Sequence, residues 1–176
     1  MDESIMGLKA LFAACALSLV LPMSGVADES EPLDDGYQIT VYKSPACGCC
    51  RQWIRHLQDN GFTVLAVDSD DMTAVKKEYE VPEELRSCHT ARIDGYTIEG
   101  HVPAQDIIAL LEGGSDAAGL SVPGMPIGSP GMEMGDRVDA YDVIRFQGEE
   151  RIVVASYGER EEPAAELPVE ATSSDD

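Results

Sequence analysis

At 176 residues, with 33 acidic against 12 basic side chains and a formal net charge of −21, the chain has the length of one domain with tails. A surface that acidic repels phosphate backbones, which argues against nucleic acid as a partner. The five cysteines make the compartment decisive, because thiols in an oxidising one become disulfides unless they are redox-active or held by metal.

The run from Leu8 to Pro22 is apolar, and Gly25-Val26-Ala27 offers small residues for cleavage, so residues 1–27 read as a secretory signal peptide. Asp2 and Glu3 depart from the basic start such a segment usually has. A start at Met6 would leave Lys9 as its single charged side chain. Two alternatives are an uncleaved anchor, whose apolar core is shorter than the ~20 residues of a spanning helix, and lipid attachment at Cys15, which lies inside that core rather than after it. Cleavage would remove Cys15, leave Cys47, Cys49, Cys50 and Cys88, and leave no membrane span. Residues 28–36 read as a flexible acidic segment.

The domain is expected over residues 37–157. Tyr37 to Val41 alternates as a strand that Pro45 ends. From Cys50 to Asn60 the pattern is helical, with Cys50, Trp53, Ile54 and Leu57 on one face and Asn60-Gly61 as the stop. Phe62 to Val67 predicts a buried strand. Ser69 or Asp70 caps a short helix carrying Met72, Val75 and Tyr79. His89 to Asp94 and Tyr96 to Val102 form a hairpin around Asp94-Gly95. Pro103 opens a helix that runs to about Glu112 and ends at Gly113-Gly114. Gly119 to Gly135 holds too many glycines and prolines for regular structure, yet Leu120, Val122, Met125, Ile127 and Met132 are too apolar for a solvated linker. This predicts an ordered loop lying on the domain. Tyr141 to Phe146 and Arg151 to Ser156 predict a second hairpin. Residues 158–176, acidic and rich in Pro, Ala and Ser, read as a disordered tail.

The order β-α-β-α-β-β-α, with a Gly/Pro/Met loop and a C-terminal β-hairpin added, predicts a thioredoxin-like α/β fold. In that topology Cys47-Gly48-Cys49-Cys50 lies at the start of the first helix, and the loop Ser87-Cys88-His89 packs against it. Unpaired N–H groups and the macrodipole at a helix N-terminus favour thiolate, which is both a nucleophile and a soft-metal ligand. Cys47 and Cys50 have the spacing of a redox dithiol; Cys49 is one thiol more than that chemistry needs. A plain structural disulfide with a spare cysteine is the third possibility.

Three stretches, Y-K-S-P-A-C-G-C-C, S-C-H-T-A-R-I-D-G-Y-T-I-E-G-H-V-P and G-L-S-V-P-G-M-P-I-G-S-P-G-M-E, closely resemble the CopG-like copper-resistance proteins, a domain-of-unknown-function family of exported metal-binding proteins. The resemblance covers roughly Tyr37 to Ser156. It implies a periplasmic protein that binds copper through Cys47, Cys49, Cys50 and Cys88, including as a thiolate-bridged multi-copper cluster. His89, His101, Met125 and Met132 match motif positions without thereby being ligands. The acidic tail is a departure from the family. The chemistry agrees with copper: Cu(I) prefers thiolate and thioether. Structural zinc usually takes cysteine pairs spaced by two or more residues, so adjacent Cys49 and Cys50 suit zinc less.

The candidate metal set is therefore Cys47, Cys49, Cys50, Cys88, Met132, Met125 and His101. Methionine is more often a gap filler than a ligand, and Met134 is a weaker candidate than the other two. His101 reads equally as a hydrogen-bonded histidine at a strand end. His89, next to Cys88 on a strand, would point the other way, and His56 reads as solvated. The function expected is a periplasmic copper-resistance protein that sequesters Cu(I) or passes it on to periplasmic carriers or efflux components, with redox cycling at the same site. The alternatives are a thiol-disulfide oxidoreductase using Cys47 and Cys50 and a disulfide-stapled interaction module.

Overall fold

The structure, a computed structural model, describes residues 36–159. The signal peptide expected over 1–27, nearly all of the expected acidic segment and the expected tail beyond Glu159 lie outside the described residues. Among the described residues the order is β1 (Gln38–Lys43), α1 (Gly48–Asp59), β2 (Thr63–Asp68), α2 (Met72–Glu78), a 3-10 turn (Glu83–Leu85), β3 (His89–Ile93), β4 (Tyr96–Glu99), α3 (Ala104–Gly113), β5 (Gly119–Ser121), β6 (Tyr141–Gln147) and β7 (Glu150–Tyr157).

The strands form one sheet in the order β2-β1-β3-β4-β5-β6-β7. The β1-α1-β2 unit is parallel, β3 runs antiparallel to β1, and β3-β4 is the hairpin around Asp94-Gly95. That four-stranded part with its three helices is the thioredoxin-like fold, and β5, β6 and β7 extend it at the β4 edge.

The period-two alternation of the strands sorts side chains onto two helical layers. Ile39, Val41, Ala91, Ile93 and Ile98 join Trp53 and Leu57 of α1 and Ile107 of α3 in one buried core. Residues of the opposite parity meet α2: the Tyr79 hydroxyl donates to that of Tyr42, and Lys76 reaches Thr90 and Glu99. No helix among the described residues is long and apolar enough to cross a membrane.

Four local readings change. Strand β2 is not buried but forms an edge of the sheet, with Leu65 61% exposed, because only β1 flanks it. Asp71, not Ser69 or Asp70, caps α2 by accepting from the Ala74 N–H at 2.9 Å. Pro103 is the N-cap of α3 rather than its first residue. Gly119–Ser121, read as loop, is a strand paired with both β4 and β6. Position 119 requires glycine there, since a Cβ would sit 1.7 Å from the Thr97 carbonyl oxygen. A composition full of turn residues concealed a strand whose pairing is entirely long-range.

Candidate metal centre

Pro45 ends β1, and the Cys47 N–H donates to the Ser44 carbonyl at 3.0 Å to close a turn. Cys47 then serves as N-cap of α1, its sulfur accepting from the Cys50 N–H at 3.3 Å. Helical geometry turns Cys50 inward with Trp53 and Leu57, all fully buried, and leaves Cys47 and Cys49 partly exposed. Cys47 and Cys50 form a disulfide, with Cα atoms 5.4 Å apart; Cys49 and Cys88 are free thiols.

Cys88 arrives from the other side of the sequence. It lies in the bend before β3, with its sulfur 3.6 Å from that of Cys50 and 3.9 Å from that of Cys49. Cys49 is in turn 3.5 Å from Cys47. All four sulfurs fall within 4.8 Å of one another, close enough to hold a metal ion once the disulfide is reduced. Burial, and then the neighbouring Cys49, push the Cys88 thiol up to about 12. In the metal-free protein it therefore stays protonated at neutral pH, and a soft cation facing it is what would draw out the thiolate.

Two imidazoles lie against the Cys88 sulfur. His101 is fully buried, with Nε2 3.1 Å from the Cys88 sulfur and Nδ1 2.7 Å from the Pro130 carbonyl oxygen. His89, also fully buried, places Nδ1 3.2 Å from the same sulfur, while its Nε2 has no hydrogen-bond partner. Burial lowers both histidines, His89 the more strongly because His101 and Lys76 add to the effect. Both are thus neutral at pH 7 and present lone pairs rather than charge. Cys88, His89 and His101 form a second metal-capable group that shares Cys88 with the first.

His89 corrects an expectation. The alternation of a strand was expected to turn it away from Cys88, but Cys88 lies outside β3, so alternation does not operate between them. His56 is also not solvated: it is partly buried, and its Nε2 accepts the Ala104 N–H at 3.0 Å at the start of α3.

The methionines divide. Met132 and Met134 line an open groove of about 340 Å³ together with Cys49, Arg51 and Arg55. Met125 is 53% exposed and lies outside that groove. The segment carrying Met132 is strapped onto α1 at Gly131, where an added Cβ would lie 2.6 Å from the Trp53 nitrogen.

Sequence reasoning overlooked the residues beneath the site. Glu99 and Lys76 form a buried ion pair at 2.6 Å, and Glu99 also accepts the Ser87 N–H. A charged residue at an inward strand position was the available signal for Glu99. Nothing local pairs it with a lysine 23 positions away.

Residues 85–132 match a protein family described as "Protein of unknown function, DUF411". This span includes Cys88, His89, His101, Met125 and Met132 but not the Cys-x-Cys-Cys motif. Two solved structures are similar. "Copper resistance protein copG- Form 2" is 49% identical over 70% of this chain and 99% of its own, with a TM-score of 0.67. "Copper resistance protein copG- Form 1" is 51% identical over 69% of this chain and 98% of its own, with a TM-score of 0.66. No curated protein matches the chain.

Proposed function

The chain belongs to the family of the copper resistance protein copG, and from that premise we propose that it is an exported protein that takes Cu(I) as cargo in a cysteine-thiolate site, sequesters it and passes it on. One observation carries the reading: four cysteine sulfurs from two segments 38 residues apart converge within 4.8 Å. A dithiol enzyme has no use for the third and fourth. Cys47, Cys49, Cys50 and Cys88 are the proposed thiolates, and their number and closeness suit sulfurs shared between several ions. His101 and Met132 stand beside them as further donors, one an imidazole nitrogen and the other a soft thioether. Met125, exposed outside the groove, is the weakest of the proposed ligands. Export follows from the N-terminal apolar run, with cleavage near Ala27 and release to the periplasm. The partners this implies are periplasmic copper carriers or efflux components.

The Cys47–Cys50 disulfide favours a second reading, thiol-disulfide exchange. With the bond closed, neither sulfur can offer a thiolate. Two electrons and two protons from an external thiol pair convert it to two thiols, so loading with metal and reduction are linked at one site.

Anaerobic Cu(I) titration of the reduced chain against a competing chelator separates these readings. If the site is a thiolate metal centre, Cys49→Ser and Cys88→Ser each lower the copper stoichiometry while circular dichroism stays unchanged, because Trp53, Leu57 and the strands build the core. Unchanged stoichiometry in both, with insulin disulfide reduction lost only on replacing Cys47 or Cys50, would establish the oxidoreductase instead. Zinc taken up in preference to Cu(I) in the same titration would change the cargo. Export is tested separately: the intact mass of the periplasmic protein should lack residues 1–27, and a chain that keeps Cys15 would defeat that part.

A further inference from the structure

Cys88 lies outside the ladder of β3, and the pairing before it is an isolated parallel bridge of Ser87 with Gly124, whose N–H donates to the Arg86 carbonyl at 3.1 Å. Ser87 is held further by two bonds of its own. The Ser87 N–H donates to Glu99 Oε1 at 2.6 Å, and its hydroxyl donates to the Gly124 carbonyl. Glu99 is fully buried with both oxygens bonded: Oε1 also accepts from Lys76 Nζ at 2.6 Å, and Oε2 accepts from the Thr90 hydroxyl at 2.7 Å. Lys76, itself 6% exposed, gives a further bond to Thr90 at 3.1 Å. Gly100 packs directly on the Ser87 side chain too, since a Cβ there would lie 2.5 Å from the Ser87 Cβ. The stretch Glu99-Gly100-His101 therefore grips Ser87 at one end and faces the Cys88 sulfur with His101 at the other.

Stability alone does not call for this arrangement. A buried ion pair is often replaceable by well-packed apolar side chains at no loss, because desolvation offsets the attraction. What apolar residues cannot supply is an acceptor for the Ser87 N–H. We propose that Glu99, held by Lys76 and Thr90, is a positioning residue for the metal centre: it fixes the Ser87 backbone and thereby the distance of the Cys88 sulfur from Cys49 and Cys50. The proposal rests on the copper reading for its consequence, not for its geometry. Metal sites tolerate only small errors in ligand placement, and loss of a group that orients a ligand typically costs ~10–100-fold in metal affinity.

The test compares two variants that both lack the buried charges. Lys76→Met/Thr90→Val/Glu99→Leu removes every partner and leaves the Ser87 N–H without an acceptor. Lys76→Met/Glu99→Gln removes both charges but restores an oxygen to it. Each is read by Cu(I) titration and, in the reduced metal-free chain, by the rate of Cys88 alkylation followed by mass spectrometry. The triple variant should fold, bind Cu(I) ~10–100-fold more weakly and alkylate faster at Cys88; the glutamine variant should return both readouts towards those of the unaltered chain. If the triple variant does not fold, Glu99→Asp, which keeps the charge but withdraws the oxygens by one methylene, should show the same two losses. Unaltered affinity and alkylation in the triple variant, or in Glu99→Asp where that stands in for it, would overturn the proposal. So would a glutamine variant as impaired as the triple. Failure of the unaltered chain to bind Cu(I) would remove the copper reading alone, and the Cys88 alkylation rates would still decide the positioning.

Discussion

His101 Nδ1 lies 2.7 Å from the Pro130 carbonyl oxygen. A carbonyl only accepts, so this nitrogen carries the proton, and the lone pair of Nε2 faces the Cys88 sulfur at 3.1 Å. Metal-binding histidines are commonly oriented in this way, with the second nitrogen donating to a backbone carbonyl. The same bond ties the Gly/Pro/Met strap to the site. His101→Gln can still donate to Pro130 but offers no imidazole lone pair. It should lower Cu(I) affinity by ~10–100-fold while leaving the four-thiol stoichiometry unchanged, as read by competitive titration. Unaltered affinity would remove His101 from the ligand set.

The strap is held by an approach only glycine permits. Gly131 has φ +83°, and a Cβ there would lie 2.6 Å from the Trp53 nitrogen and 3.0 Å from the Cys49 carbonyl oxygen. These are backbone atoms of α1, which cannot yield as a flexible side chain would. Gly131→Ala should destabilise the fold by ~2–5 kcal/mol, the sum of backbone strain and overpacking. It should also speed alkylation of Cys49 by lifting Met132 from the groove. Gly135→Ala is the control: φ is +63°, but nothing lies within 4 Å of its Cβ position, so only the strain, ~1–2 kcal/mol, should remain. Equal losses in the two variants would show that the close approach contributes nothing.

Acid should destabilise the metal-free, disulfide-bonded chain earlier than carboxylate protonation alone requires. All three histidines of the chain, His56, His89 and His101, are lowered, each first by burial. A base lowered in the folded state stays neutral where the unfolded chain binds a proton, so stability is complete above the ordinary histidine value of about 6.5 and falls as pH drops below it. Each proton bound only by the unfolded chain contributes about 1.4 kcal/mol per pH unit to that slope. His56 can be isolated because it stands apart from the thiols and serves the Ala104 N–H. His56→Gln, whose amide oxygen can accept the same N–H, should flatten the dependence between pH 6.5 and 5 in urea unfolding. An unchanged slope would show that His56 titrates alike in both states.

Local signals carried much of this protein. The helical spacing of Cys50, Trp53 and Leu57, the Asp94-Gly95 turn and the alternation of Tyr141 to Phe146 are short-range patterns, each decided by the chain within a turn or two of itself. The thiol cluster was legible for the same reason, since three of its members lie within four positions. Cys88 joined them only through the expected topology.

What the sequence determined by itself was therefore every strand but β5, the three helices, their order, and the thiols as the chemical centre. Tertiary structure decided how those thiols are held. Cys88 sits in a bend rather than a strand, which brings His89 to its sulfur; Glu99 reaches Lys76 across 23 residues to fix Ser87; and Gly119 opens a strand within an apparent loop because Thr97 comes close beside it. The physical reason is common to all three. Hydrogen bonds, ion pairs and close packing between distant segments depend on where the whole backbone places them, and residue type along the chain records only that such a group is present, not which partner it meets.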